Sequence, residues 1–486
     1  MEHDLLDNRG NRLDSNRMDT HLSGPVSDGR LAGFLRLAAD KSRRDDRVIL
    51  ASLTESVQFG DALALFGATA AACPDRLLWS QPDSSFLLMG IGAAHTIETA
   101  GSGRFSQTAA DWKALCSGAL IEAESALHGP VLMGGFSFDT EQPAGAAWQG
   151  YPDGRMVLPR VCVTVSRGQS WLTMNALLHP QSSAEREAAE ILRMRSLLRA
   201  EAGAIAICAP NGRPVQSELR SSIGWRNEVA AAARTVRRGE LGKVVLARAV
   251  KLESAQPFDC VAALRRLAAG YPTCAVFAVA HGDQCFLGAT PERLLRVRDG
   301  EVSTACLAGS YARGATDDAD QALAAALLAD PKERREHALV LNAMVETLGL
   351  WCSRLDVPET PSILKLSNVQ HLCTPISGRL APDSGVLQIA EQLHPTPSVG
   401  GQPRDLALRF IREREGLDRG WYAGAVGWVD HRGEGEFAVA IRAALLRGAE
   451  ATLFAGCGIV ADSDPDREFA ESCIKLTPML TALGAD

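Results

Sequence analysis

The first thirty residues contain no aromatic side chain and no apolar core of the kind that opens a secretory signal. No apolar run approaches the roughly 18 residues that would span a bilayer. The chain is therefore expected to be soluble and cytoplasmic, with residues 1–30 a disordered tail. None of the twelve cysteines lies in a CxxC pair or beside histidine at zinc-finger spacing, which fits reduced, buried thiols rather than a disulfide or zinc scaffold. Bases do not outnumber acids: the net charge is −8, with signs mixed along the chain. That leaves no footprint for nucleic acid or an anionic membrane, and an anionic substrate would need local cations. The G-x-S-x-G, H-E-x-x-H and Walker A motifs are absent, as are internal repeats and low-complexity tracts.

What is present is a chain of 486 residues, 46% hydrophobic and 22% charged, enough for a large core. Residues 31–215 alternate helix-like and strand-like stretches. Leu77 to Ser80 and Phe86 to Met89 read as strands across the Pro82-Asp83 turn, and Val131 to Met133 and Val161 to Val165 as further strands. A helical stretch from Pro180 to Ala202 is broken at Pro210-Asn211-Gly212-Arg213-Pro214, where the main boundary is placed. Residues 216–486 carry the denser motifs. Two helices open on Asp-Pro, at Asp330-Pro331 and Asp464-Pro465, with Asp as N-cap and Pro at the first helical position.

Each of these helices carries a glutamate pair three residues apart, Glu333 with Glu336 and Glu468 with Glu471, so each pair faces one way. Acids in a first turn also answer the helix dipole, so the spacing alone leaves a capping role open. If the two helix starts converge, four carboxylates would suit a hard cation such as Mg2+. Lys243, at a strand start, reads either as an edge lysine or as a general base. Glu292, at a strand end, reads as a turn residue or as a general acid. Arg442 closes the apolar run Phe437 to Ile441 and needs a partner, either a carboxylate ligand or a buried ion pair. Lys475 has Glu471 at i, i+4 or serves as an anion contact. Gly456-Cys457-Gly458-Ile459-Val460-Ala461 fits G-x-G-x-x-A, but it lies too near the C-terminus to complete a dinucleotide-binding unit.

Taken together these residues resemble the chorismate-binding enzymes, over roughly Ile223 to Leu483. The resemblance rests on Gly242-Lys243-Val244-Val245-Leu246-Ala247-Arg248, Gly288-Ala289-Thr290-Pro291-Glu292-Arg293-Leu294, Glu336-His337 and Val369-Gln370-His371-Leu372. It continues through His394-Pro395-Thr396-Pro397, Trp421-Tyr422-Ala423-Gly424, Ala440-Ile441-Arg442 and Phe454 to Val460. It implies an α/β fold of two large antiparallel sheets packed together, with helices outside and the site between them. It implies Mg2+ held by Glu336 and Glu471, with Glu333 and Glu468 closing the shell. Substrate contacts would come from His371, Ser398, Tyr422, Ile441, Arg442, the Gly458 backbone and Lys475. Within the family the closest resemblance is to isochorismate synthases, which place water on C2 of chorismate as the C4 hydroxyl leaves; Lys243 would be the base and Glu292 the acid. The Pro-Thr-Pro segment differs from the ammonia-using members, so no glutaminase partner is expected. Ser398 replaces the alanine usual at that point, which leaves salicylate formation, and less so anthranilate formation, as alternatives.

Overall fold

Period-two alternation decides which face of each strand is covered. In the strand Ala275–His281, Val276, Ala278 and Ala280 join one apolar cluster, while Phe277 and Val279 join another. The strand Gln284–Thr290 repeats this, with Leu287 on one side and Phe286 on the other. Strands buried on both faces must lie between two covering layers, and that is the arrangement found. A computed structural model describes residues 27–485 apart from 59, 124–128, 143–144, 201–212, 367–368 and 383.

Among these residues, 21 strands form one hydrogen-bonded network with eleven α-helices. The pairing of Ile49–Val57 with Leu120–Glu122 is parallel, and the others are antiparallel. The network forks at the long strand Gly154–Ser166. One edge of this strand pairs with Phe86–Thr99. Its other edge pairs with Val131–Phe136 through its first residues and with Gln169–Leu178 through its last. From the fork one arm runs through Ala425–Asp430, Gly435–Val439, Arg293–Arg298 and Glu301–Ala312 to Val369–Leu380. The other runs through Arg76–Gln81, Ala275–His281, Gln284–Thr290, Ala443–Arg447 and Glu450–Ile459 to Lys243–Glu253.

Trp79, Phe277, Phe286 and Val244 of the second arm share a core with Val426, Phe437 and Leu295 of the first. The two antiparallel sheets are therefore facing arms of a single network. On the outer face of the second arm, Leu35, Ile191, Leu264 and Met479 bring helices against Val276, Leu287 and Leu453. Strands from either side of residue 215 pair directly, as Arg76–Gln81 does with Ala275–His281.

The first described helix, Asp28–Asp45, is capped by Ser27 and so begins inside the stretch read as a tail; residues 1–26 lie outside the described residues. The helix anticipated from Pro180 spans Ala184–Ala200, and most of the break at 210–214 lies outside the described residues. Among the described residues no helix is long and apolar enough to cross a membrane.

Candidate active site

Both Asp-Pro helices form as read. Asp330 Oδ1 accepts from the backbone N–H of Lys332 (2.7 Å) and Glu333 (3.3 Å), opening the helix Pro331–Gly349. Asp464 Oδ1 accepts from Asp466 (3.1 Å) and Arg467 (3.0 Å), opening Pro465–Leu483. The second helix follows the strand Glu450–Ile459, whose Gly458 and Ile459 lie opposite Val245 and Val244. The first packs on Glu301–Ala312 and Val369–Leu380 at the end of the facing arm. The two arms thus bring both helix starts to one cavity, and all thirteen residues singled out as site candidates line it.

On the acidic side, Cys457, Glu468 and Glu471 bring ligand atoms within 4.8 Å of one another. Glu333 and Glu336 do not join that tight group. The Lys332 ammonium stands 3.5 Å from Glu333 Oε1 and 3.7 Å from Glu468 Oε1. Burial and repulsion from Glu471 push the Glu468 carboxyl up to about 7. Burial and Glu336 raise Glu333, whose Oε2 accepts from the Ser310 N–H at 3.0 Å. Burial would raise Glu471 too, but Lys475, 2.7 Å away, holds it below the usual carboxylate range. Burial would lower the Lys332 ammonium, yet the surrounding glutamates hold it above its usual value. Four hard oxygen donors with this much mutual repulsion fit a divalent cation. Cys457 does not: burial keeps its thiol protonated, and Sγ donates to the Glu468 carbonyl at 3.2 Å.

Lys243 is 1% exposed, and its ammonium pairs with Glu336 Oε1 at 2.9 Å. Gly458 permits this pair: a Cβ there would lie 2.6 Å from Lys243 Cε and 2.8 Å from Glu336 Oε1. The G-x-G stretch is therefore the middle of a strand whose missing side chain admits an ion pair. Glu292 sits in the turn between Gln284–Thr290 and Arg293–Arg298. Its N–H donates to Thr290 Oγ1 (3.2 Å), and its carbonyl accepts from the Val439 N–H (2.9 Å). Burial raises its carboxyl, opposed by hydrogen bonding from Ser398 and by the charges of Lys243, Arg442 and Lys475.

The opposite wall is cationic. Arg442 adopts φ +53° between two strands and is 8% exposed. Among the described residues none hydrogen-bonds or ion-pairs with its guanidinium, so no structural ion pair accounts for it. Burial would lower Lys475, but Glu471 beside it holds it up, and Nζ donates to the Gly456 carbonyl at 3.0 Å. Tyr422 stacks on Phe454 with centroids 4.9 Å apart, and burial pushes its hydroxyl up to about 12. Burial and the nearby cations drop His371 to about 3, so it is a neutral ring, 2.8 Å from Ser310 Oγ through Nδ1. Ile441 contributes apolar lining.

Sequence reasoning missed Lys332, Ser310 and Arg419 in this cavity. Lys332 looked like an ordinary first-turn lysine; its place inside an acidic run was the available signal. Arg419 is 1% exposed and pairs with Glu415, donating also to the carbonyls of Val399 (2.9 Å) and Val245 (2.8 Å). Glu415 accepts from the Ala247 N–H at 2.7 Å, so the pair ties the Lys243 strand to the loop after Pro397. Their i, i+4 spacing gave no hint of that reach.

A profile of the chorismate-binding enzymes matches residues 36–484. The chain is 38% identical over 461 residues to the salicylate biosynthesis isochorismate synthase of Pseudomonas aeruginosa, covering 94% of each chain. It is 34% identical over 463 residues to isochorismate synthase MenF of Bacillus subtilis, covering 92% of this chain and 96% of that one. Among solved structures it resembles MenF, the menaquinone-specific isochorismate synthase of Escherichia coli, with a TM-score of 0.72 and 28% identity. That match covers 92% of this chain and 99% of the other.

Proposed function

The chain belongs to the chorismate-binding enzyme family, and on that premise we propose that it is an isochorismate synthase, an isomerase acting in the cytoplasm that moves the ring hydroxyl of chorismate from C4 to C2 with Mg2+ as cofactor. The observation that carries this reading is the bare, buried Arg442 guanidinium facing an acidic cluster across one cavity. A dianionic substrate needs both walls: cations for one carboxylate, and a cation-loaded carboxylate site for the other.

Arg442, Tyr422, Lys475 and the Gly458 backbone hold the enolpyruvyl carboxylate in this reading. His371, Ile441 and Ser398 line the ring. Glu336 and Glu471 hold the metal directly, with Glu333 and Glu468 completing the shell. The metal would neutralise these acids and anchor the ring carboxylate. Lys243 takes a proton from water as its oxygen bonds to C2, the ring double bonds shift, and the C4–O bond breaks. Glu292 protonates the departing oxygen, which leaves as water. One water enters and one leaves, and one allylic C–O bond replaces another, so chorismate and isochorismate should approach a mixture at equilibrium.

The test is incubation with chorismate, Mg2+ and ammonium, with products resolved by chromatography and mass. Isochorismate alone supports the reading. Stoichiometric salicylate and pyruvate would make the protein a salicylate synthase, and anthranilate would overturn water as the nucleophile.

A further inference from the structure

Ser398 lines the substrate cavity, yet its hydroxyl is already engaged. Oγ donates to Glu292 Oε1 and lies 2.5 Å from Thr396 Oγ1. A hydroxyl has one proton and two lone pairs. With Ser398 donating to the carboxylate, Thr396 must donate to Ser398, which gives a chain from Thr396 through Ser398 to Glu292. When Glu292 is protonated the chain reverses: the acid donates to Ser398, and Ser398 turns its proton to Thr396. The same three side chains are satisfied in both states without moving a heavy atom. Thr396 is 2% exposed, so water does not compete at the far end.

The loop carrying the two hydroxyls is fixed. The Thr396 carbonyl accepts from the N–H groups of Val399 (3.1 Å) and Gly400 (2.9 Å). The Gly400 carbonyl accepts from the Val245 N–H at 3.0 Å, and the Gly242 N–H donates to Gln402 at 2.8 Å. The loop is thereby pinned to the strand that begins at Lys243, so base and acid are referenced to one piece of backbone.

We infer that Thr396 and Ser398 are positioning residues for Glu292, a two-hydroxyl relay that keeps the carboxyl aimed at the leaving oxygen before and after it gives up its proton. This rests on the proposed role of Glu292 as the acid. Hydrogen bonds to a carboxylate are stronger than those from a neutral acid, so losing the relay disfavours the ionised form, and the cations Lys243, Arg442 and Lys475 that also face Glu292 remain.

The experiment compares wild type with Ser398→Ala, Thr396→Val, the double variant and Ser398→Thr. Ser398→Ala should lower kcat about tenfold, the equivalent of one charge-assisted hydrogen bond, with KM little changed. The alkaline limb of the kcat–pH profile, where the acid ionises, should move to higher pH. Thr396→Val should do the same more weakly and add nothing in the Ser398→Ala background, while Ser398→Thr should restore both rate and profile. An unmoved limb, additive effects of the two changes, or a rise in KM alone would overturn the relay. A wild-type protein inert towards chorismate would instead sink the functional reading. The relay would then be read from the infrared band of the Glu292 carboxyl, identified by its loss in Glu292→Gln: a shift in Ser398→Ala upholds the relay, and an unchanged band overturns it.

Discussion

Lys243 reaches Glu336 while Glu292 reaches Ser398, so the proposed base and acid hang on different partners and separate by substitution. Lys243→Ala and Glu292→Gln should each reduce turnover by about 10²–10⁴-fold, the usual worth of a positioned acid or base. Chorismate binding measured by calorimetry should persist in both, because Arg442 and Lys475 are untouched. Wild-type turnover in Lys243→Ala would require another base. Lys332 raises a different point. A tethered ammonium among carboxylates competes with any other cation there. Lys332→Gln should therefore tighten Mg2+ binding several-fold while lowering the melting temperature of the metal-free protein, where the acids lose their counter-ion. Weaker Mg2+ binding in the variant would show that the lysine supports the metal instead. The glutamates, Lys243, Glu292 and Arg442 were legible because ordered motifs marked them. Lys332, Arg419 and the Thr396–Ser398 contact were not, because each acts through a partner set by tertiary structure.

At the scale of elements, the helix starts were the most readable feature, since Asp-Pro satisfies exposed N–H groups by local chemistry alone. What the sequence could not supply was their convergence. That depends on Lys243–Glu253 pairing with Glu450–Ile459 some two hundred residues away, and on the fork at Gly154–Ser166 that folds one arm over the other. Alternation likewise identified many strands but not their partners, because register is a long-range property. The caps also serve the site, since Glu333 and Glu468 lie in the turns they fix. Asp330→Ala and Asp464→Ala should each cost about 1 kcal/mol of stability, visible as a lower denaturation midpoint, and should weaken Mg2+ binding as the first turn frays. Lost stability with unchanged metal affinity would separate the cap from the site.

Across the whole molecule the acid side of the stability profile should be set partly by histidines that the fold keeps neutral. His394 lies between Phe105 and Phe138, with centroids 5.9 and 6.4 Å away; burial, then Arg104 and Arg404, hold it well below its usual value. His371, at about 3, is a second case. In the unfolded chain each accepts a proton near pH 6.5, while in the folded chain each resists it, so the unfolded state binds more protons and stability falls as pH drops below that value. Each group contributes up to about 1.4 kcal/mol per pH unit over that range. Melting temperature should therefore decline from about pH 7 to about pH 5. His394→Phe replaces the ring with one that suits its aromatic neighbours and takes no proton, so its decline should be shallower than that of wild type, even if its stability near neutrality differs. Parallel slopes for the two proteins would mean that His394 gains its proton without unfolding, and that its burial between the two phenylalanines is not what resists the charge.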